Sequence, residues 1–228
     1  MMPAYLLHLL QLTDPALPVG GFSHSAGLET YVQQNMVKDA PSADAWIRQM
    51  LSANLAYNDA AYMSLAYDAA ANGLTPLLHL DEQCTALKTA REMREASKKL
   101  GLRLIKIFRT LQPSGIAEAY AQAIKTQQAT GHYCIAFGVY AFALGIPKPE
   151  AVTAFFYNAA AGMVTNCVKL IPLGQLDGQQ LLFRLQPLIH ELTASTLEPD
   201  PDILGRCNVG FDIRGMQHER LYSRLYMS

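Results

Sequence analysis

Two stretches in the second half of the chain, near 132–145 and 150–171, offer little polar surface on any side of a helix. That constrains the fold more than any other feature. A helix with no polar face belongs at the centre of a bundle or in an interface between subunits. Within the second stretch, Ala159, Ala160, Ala161 and Gly162 allow a neighbouring helix to come close. The uncharged run 133–147 is too short and too interrupted by glycine to span a bilayer.

Elsewhere the apolar residues also recur at three- and four-residue steps. From Ser42 they fall at Trp46, Ile47, Met50, Leu51, Leu55, Tyr62, Leu65 and Ala66, which predicts one helix running to Asn72-Gly73. Thr75-Pro76 reads as a cap and first-turn proline. Asp81 is expected to cap a helix that carries Arg91, Glu92, Arg94, Glu95, Lys98 and Lys99. There, Arg91–Glu95 and Glu95–Lys99 sit one turn apart and can neutralise one another. Ser114-Gly115 starts a helix, Gly131 separates it from the next, and 175–193 forms a further helix bent at Pro187. Glu198-Pro199-Asp200-Pro201 is a turn, and a short helix is expected near 217–224. No period-two strand and no internal repeat is present. The reading is all-α: a single-domain bundle of roughly eight to ten helices, with 1–204 as the main body and 205–228 as a C-terminal tail of the same domain.

Half of the 228 residues are hydrophobic and 16% are charged, a balance that excludes extended disorder and implies surface covered by partners. A net charge of −1 gives no global attraction to nucleic acid, although a local basic patch is compatible with it. Cys84, Cys134, Cys167 and Cys207 are widely spaced and form no C-x-x-C pair; they read as reduced, mostly buried thiols. The N-terminus lacks a basic start and a cleavage site, so a cytoplasmic location is expected.

Catalytic spacings are missing. The chain has no G-x-x-x-x-G-K-S/T loop, no G-x-G-x-x-G opening, no H-E-x-x-H, no E-x-x-H pair and no G-x-S-x-G elbow. His24 reads as a helix-start histidine bonded to a nearby carbonyl. It is also the one candidate metal residue, but no second ligand lies at helical spacing from it. His218 reads as a salt-bridged residue of a terminal helix. If the tail is helical, Arg220 and Arg224 share one face, and Tyr222 and Tyr226 the next. They form either a solvated tail or a docking surface.

The run Leu17-Pro18-Val19-Gly20-Gly21-Phe22-Ser23-His24-Ser25-Ala26-Gly27-Leu28-Glu29 is a rigid elbow, from which Ser23 is expected to cap a helix running from His24 through Tyr31. It resembles the signature L-P-x-G-G-F/Y-S-x-S-x-G-L-E of the urease accessory protein UreF family. Three further segments resemble that family, in its order. Arg91-Glu92-Met93-Arg94-Glu95-Ala96-Ser97 with Gly101-Leu102-Arg103-Leu104 is similar to its central segment. Asn166-Cys167-Val168-Lys169-Leu170-Ile171-Pro172-Leu173-Gly174-Gln175 and 218–228 are similar to its two C-terminal ones. Where many members end L-F-R-S, this chain ends Leu225-Tyr226-Met227-Ser228.

The resemblance implies a non-catalytic, homodimeric helical scaffold with no cofactor. Such a scaffold joins UreD/UreH and the GTPase UreG on the urease apoprotein, assists nickel insertion and modulates GTP hydrolysis, without nucleic-acid or membrane partners. It implies that Arg220, Tyr222 and Arg224 contact UreD/UreH. It also implies that the elbow (Gly20, Gly21, Phe22, Ser23, His24 and Glu29) and the Lys169–Gln175 turn shape the dimer core or the UreG face. A path for hydrated nickel would need polar groups such as Ser23, His24 or Gln175. The alternative is an all-α enzyme or ligand-binding protein with an apolar cavity between the uncharged helices.

Overall fold

The computed structural model describes residues 3–21, 24–222 and 224–227. Its described residues form helices and no strand. In order these are α1 (Tyr5–Leu12), α2 (Leu28–Gln33), α3 (Ala40–Gln49), α4 (Asp59–Asn72), α5 (Leu74–Leu87), α6 (Arg91–Leu111), α7 (Gly115–Lys125), α8 (Tyr133–Ala143), α9 (Lys148–Leu170), α10 (Gln175–Thr196) and α11 (Val209–His218). The all-α expectation holds.

The all-round apolar helix α8 sits at the centre, with Cys134 to Ala141 buried without a break. It packs against α4, α6 and α9. A Cβ added at Gly138 would lie 2.5 Å from the Met63 carbonyl oxygen, so the glycine lets α4 and α8 touch backbone to backbone. Tyr133, Phe137 and Phe155 tie α8 to α9, with ring centroids 5.1 to 6.0 Å apart. Pro187 lies inside α10 without ending it.

Four local expectations are corrected. The helix expected from Ser42 to Asn72 is broken: a π-turn (Met50–Asn54) and a 3-10 turn (Leu55–Tyr57) separate α3 from α4. The interruption frees backbone for the segment after α10. Gly205 N–H donates to the Tyr57 carbonyl, and Asn58 Nδ2 donates to that of Arg206. The helix expected from His24 begins only at Leu28, because Ala26 (φ 53°) and Gly27 (φ 76°) are both left-handed. Ser23, its expected cap, lies outside the described residues.

Asp81 caps nothing on its own helix. It is buried inside α5 and accepts from Tyr120 Oη (2.5 Å) and from the Thr130 (2.5 Å) and Gly131 (3.0 Å) N–H groups, and so holds the loop entering α8. Finally, in place of the helix expected at 217–224 stands α11, which starts earlier, at Val209; the chain beyond His218 is not helical. Tyr222 and Tyr226 therefore share no helix face: Tyr222 is fully exposed and Tyr226 is buried.

Candidate functional site

The residues that carry the family resemblance converge on the C-terminal segment. Glu29 comes from α2, Glu92 from the first turn of α6, and His218 from the end of α11. His218 is fully buried, with Nε2 3.0 Å from Glu29 Oε2 and Nδ1 2.7 Å from Glu92 Oε2. The imidazole can donate to both carboxylates only when both ring nitrogens carry protons. The same two carboxylates hold the tail. Arg224 Nη1 donates to Glu92 (2.5 Å), and the Leu225 and Tyr226 N–H groups donate to the two oxygens of Glu29 (2.7 and 3.1 Å). Arg91 reaches Glu219 at 2.8 Å. Buried carboxylates need such partners, because an unpaired one would be heavily penalised. The clamp leaves Tyr222 and Leu225 pointing outward, Leu225 80% exposed.

The elbow lies against α6. Arg103 Nη1 donates to the Val19 carbonyl at 3.1 Å. Gly20 sits at φ 85°, a backbone angle that calls for glycine, with the Arg103 guanidinium packed over it. The His24 carbonyl accepts from Asn166 Nδ2 at 2.9 Å, joining the elbow to α9. Burial holds the His24 imidazole below its usual pKa, and the nearby Lys99 and Arg103 push the same way. Gly21 is exposed, and Phe22 and Ser23 lie outside the described residues. Lys169, in the last turn of α9, Gln175, the first residue of α10, and Arg220 are all exposed. The structure thus brings Glu29 and Arg224 together in the clamp and sets Gly20 and His24 beside α6, while Lys169, Gln175, Arg220 and Tyr222 face outward.

A second polar cluster has no counterpart in the sequence reading. His132, buried beside Asp81, faces Thr85 Oγ1 (2.9 Å) and Ser97 Oγ (3.2 Å). Burial pushes its pKa down to about 4, with Lys88 acting in the same direction. Lys88 Nζ lies 2.8 Å from both oxygens of Asp59. Burial opposes the ammonium charge, but that carboxylate more than reverses the effect and raises the Lys88 pKa. The only sequence signal for this cluster was polar residues at core positions of helical patterns. Its partners lie 29 to 51 residues apart, beyond any local rule.

The Asp59–Lys88 pair and His24 wall a cavity of about 310 Å³, with Met50, Met93 and Phe211 among its apolar lining. It lies under the segment preceding α11, and of the two uncharged helices expected to enclose one, α8 contributes Tyr133 to its wall and α9 contributes Met163. Among the described residues no group of three His, Cys, Asp or Glu could hold a metal, and no helix is long and apolar enough to cross a membrane. Cys84, Cys134 and Cys167 are buried free thiols, and Cys207 is an exposed one.

Fold and clamp define an all-α domain that pins its own C-terminal segment. The chain belongs to the UreF family, whose model matches residues 37–186. It is 49% identical over 221 residues to the urease accessory protein UreF of Actinobacillus pleuropneumoniae serotype 5b, covering 96% of this chain and 97% of that one. The protein of the same name from Haemophilus influenzae strain Rd is 48% identical over 96% of this chain and 94% of its own. That from Paenarthrobacter aurescens is 36% identical over the full length of both. These relatives are named as accessory proteins of urease, not as enzymes.

Proposed function

We propose that the chain is a maturation scaffold for urease that joins UreD/UreH and the GTPase UreG on the apoprotein for nickel insertion and times GTP hydrolysis by the latter. It acts in the cytoplasm and works as a homodimer. The observation that carries this reading is the clamp. Three elements remote in sequence contribute Glu29, Glu92 and His218 to one cluster, its two carboxylates hold a short C-terminal segment, and that segment offers an aromatic and an aliphatic side chain to solvent. Exposed Tyr beside arginine is the residue chemistry that anchors protein interfaces, and the hydrogen-bonded backbone at Leu225 and Tyr226 leaves less freedom to be lost on binding. Arg220, Tyr222 and Leu225 contact UreD/UreH in this reading. Arg224 acts through Glu92 by holding the segment in place.

The test is co-purification with UreD/UreH, UreG and apo-urease, comparing the intact chain with a Tyr222→Ala/Leu225→Ala variant. The expected result is an assembly that loses UreD/UreH in the variant, which melts like the intact chain. A well-folded intact chain that binds none of these proteins rejects the reading.

A further inference from the structure

Helix α6 carries seven of the chain's 18 Lys and Arg but only two of its 19 Asp and Glu. Both glutamates sit in its first five residues. Beyond them the helix has five cations and no carboxylate. Sequence spacing made this face self-neutralising through Arg91–Glu95 and Glu95–Lys99, but the structure pairs the charges otherwise. Arg91 goes to Glu219, Glu95 pairs with Lys98, and Arg109 pairs with Glu118. Lys99, Arg103 and Lys106 are exposed and have no carboxylate within 4 Å among the described residues. They lie along one face of the helix, three and four residues apart, where like charges repel and cost stability. Leu102, 43% exposed, lies between them. The same helix face begins at Glu92, under the pinned tail, and passes the elbow at Arg103.

We propose that this outer face of α6 is a docking surface for an acidic protein surface. The complementary partner presents about three carboxylates over about 10 Å, the length of seven helical residues, with an apolar side chain against Leu102. The inference rests on the scaffold reading and adds a second, electrostatic contact beside the tail. Three cations on a narrow stripe, in a chain of net charge −1, fall short of the basic field that nucleic acid selects and of the polybasic cluster that an anionic membrane holds. A row of carboxylates on a folded partner matches the stripe in both length and charge. Exposed charge pairs of this kind act mainly on association rate and salt dependence.

The experiment measures the affinity of the full chain for separately purified UreD/UreH, UreG and apo-urease at 50 and 300 mM salt. The intact chain is compared with Lys99→Glu/Lys106→Glu and with the conservative Lys99→Arg/Lys106→Arg. The expected result is that charge reversal weakens one of these partners about thirtyfold at low salt and flattens its salt dependence, while melting is unchanged and the arginine variant binds as the intact chain does. Binding to all three that is indifferent to charge reversal overturns the proposal and leaves the scaffold reading standing. So does retention of duplex DNA or phosphatidylserine vesicles by the intact chain but not by the reversed one, with protein affinities unmoved. If the intact chain binds none of the three, the scaffold reading itself fails and takes this proposal with it.

Discussion

Glu29 shows how much a single side chain can organise. Its two oxygens receive the imidazole of His218 and the N–H groups of Leu225 and Tyr226, from residues up to 197 positions away. Glu29→Ala leaves these donors buried and unpaired, so a loss of about 3 kcal/mol in urea denaturation is expected. A loss under about 1 kcal/mol would mean that the tail is held by something else. His132 makes a prediction of the other kind. Its pKa falls from 6.5 to about 4 on folding, chiefly through burial. Above pH 6.5 the ring is neutral in both states. As pH falls from 6.5 to 4, the unfolded chain binds a proton that the folded one refuses, so this contribution to stability is lost progressively, by about 3 kcal/mol. His132→Gln should flatten that part of the stability–pH curve, and parallel curves for the two proteins would refute the assignment. Glu29, His218 and Arg224 could be singled out in the sequence, but their meeting could not. Asp81 was read as a helix cap because a lone Asp ahead of an amphipathic run looks like one, whereas its partners lie 39 to 51 residues away.

Among the elements, α8 was the most legible: a helix with no polar face goes to the centre of the bundle or into a subunit interface, and α8 lies at the centre. The approach of α6 to the loop entering α8 depends on Gly101. A Cβ there would lie 2.1 Å from the Gly131 carbonyl oxygen and 2.9 Å from the Tyr133 nitrogen, both backbone atoms that cannot step aside. Gly101→Ala is therefore expected to destabilise by about 2 to 3 kcal/mol despite its better helix propensity, as read by thermal or urea melting. A neutral or stabilised variant would show that α6 is free to move. The break between α3 and α4 was illegible for a related reason. The apolar period continues through Met50, Leu51 and Leu55, and what stops the helix is the chain at Gly205 and Arg206 taking the hydrogen bonds of Tyr57 and Asn58. Local pattern encodes which face is buried, not which distant segment will claim a carbonyl.

For the whole molecule, the tail links fold to assembly. Because Tyr222 and Leu225 make no use of their side chains in the core, replacing both with Ala should change stability by less than about 0.5 kcal/mol. In the proposed assembly it should weaken UreD/UreH binding by about 2 kcal/mol, roughly thirtyfold. Stability lost along with binding would make the segment structural rather than an anchor. Arg224→Ala should behave differently, loosening the tail and binding together, because its guanidinium serves Glu92.

Residue order alone was enough for the helical class, the all-round apolar character of α8, the family and the motifs that mark it, since periodicity and short motifs are properties of near neighbours along the chain. Only the tertiary structure decided that those motifs meet in one clamp, that Asp81 and His132 form a buried polar cluster, and that Lys99, Arg103 and Lys106 of α6 have no carboxylate beside them among the described residues. Each of these depends on charges and hydrogen-bond groups brought together from distant parts of the chain, and a buried or exposed charge takes the partner that packing places beside it rather than the one spaced a turn away.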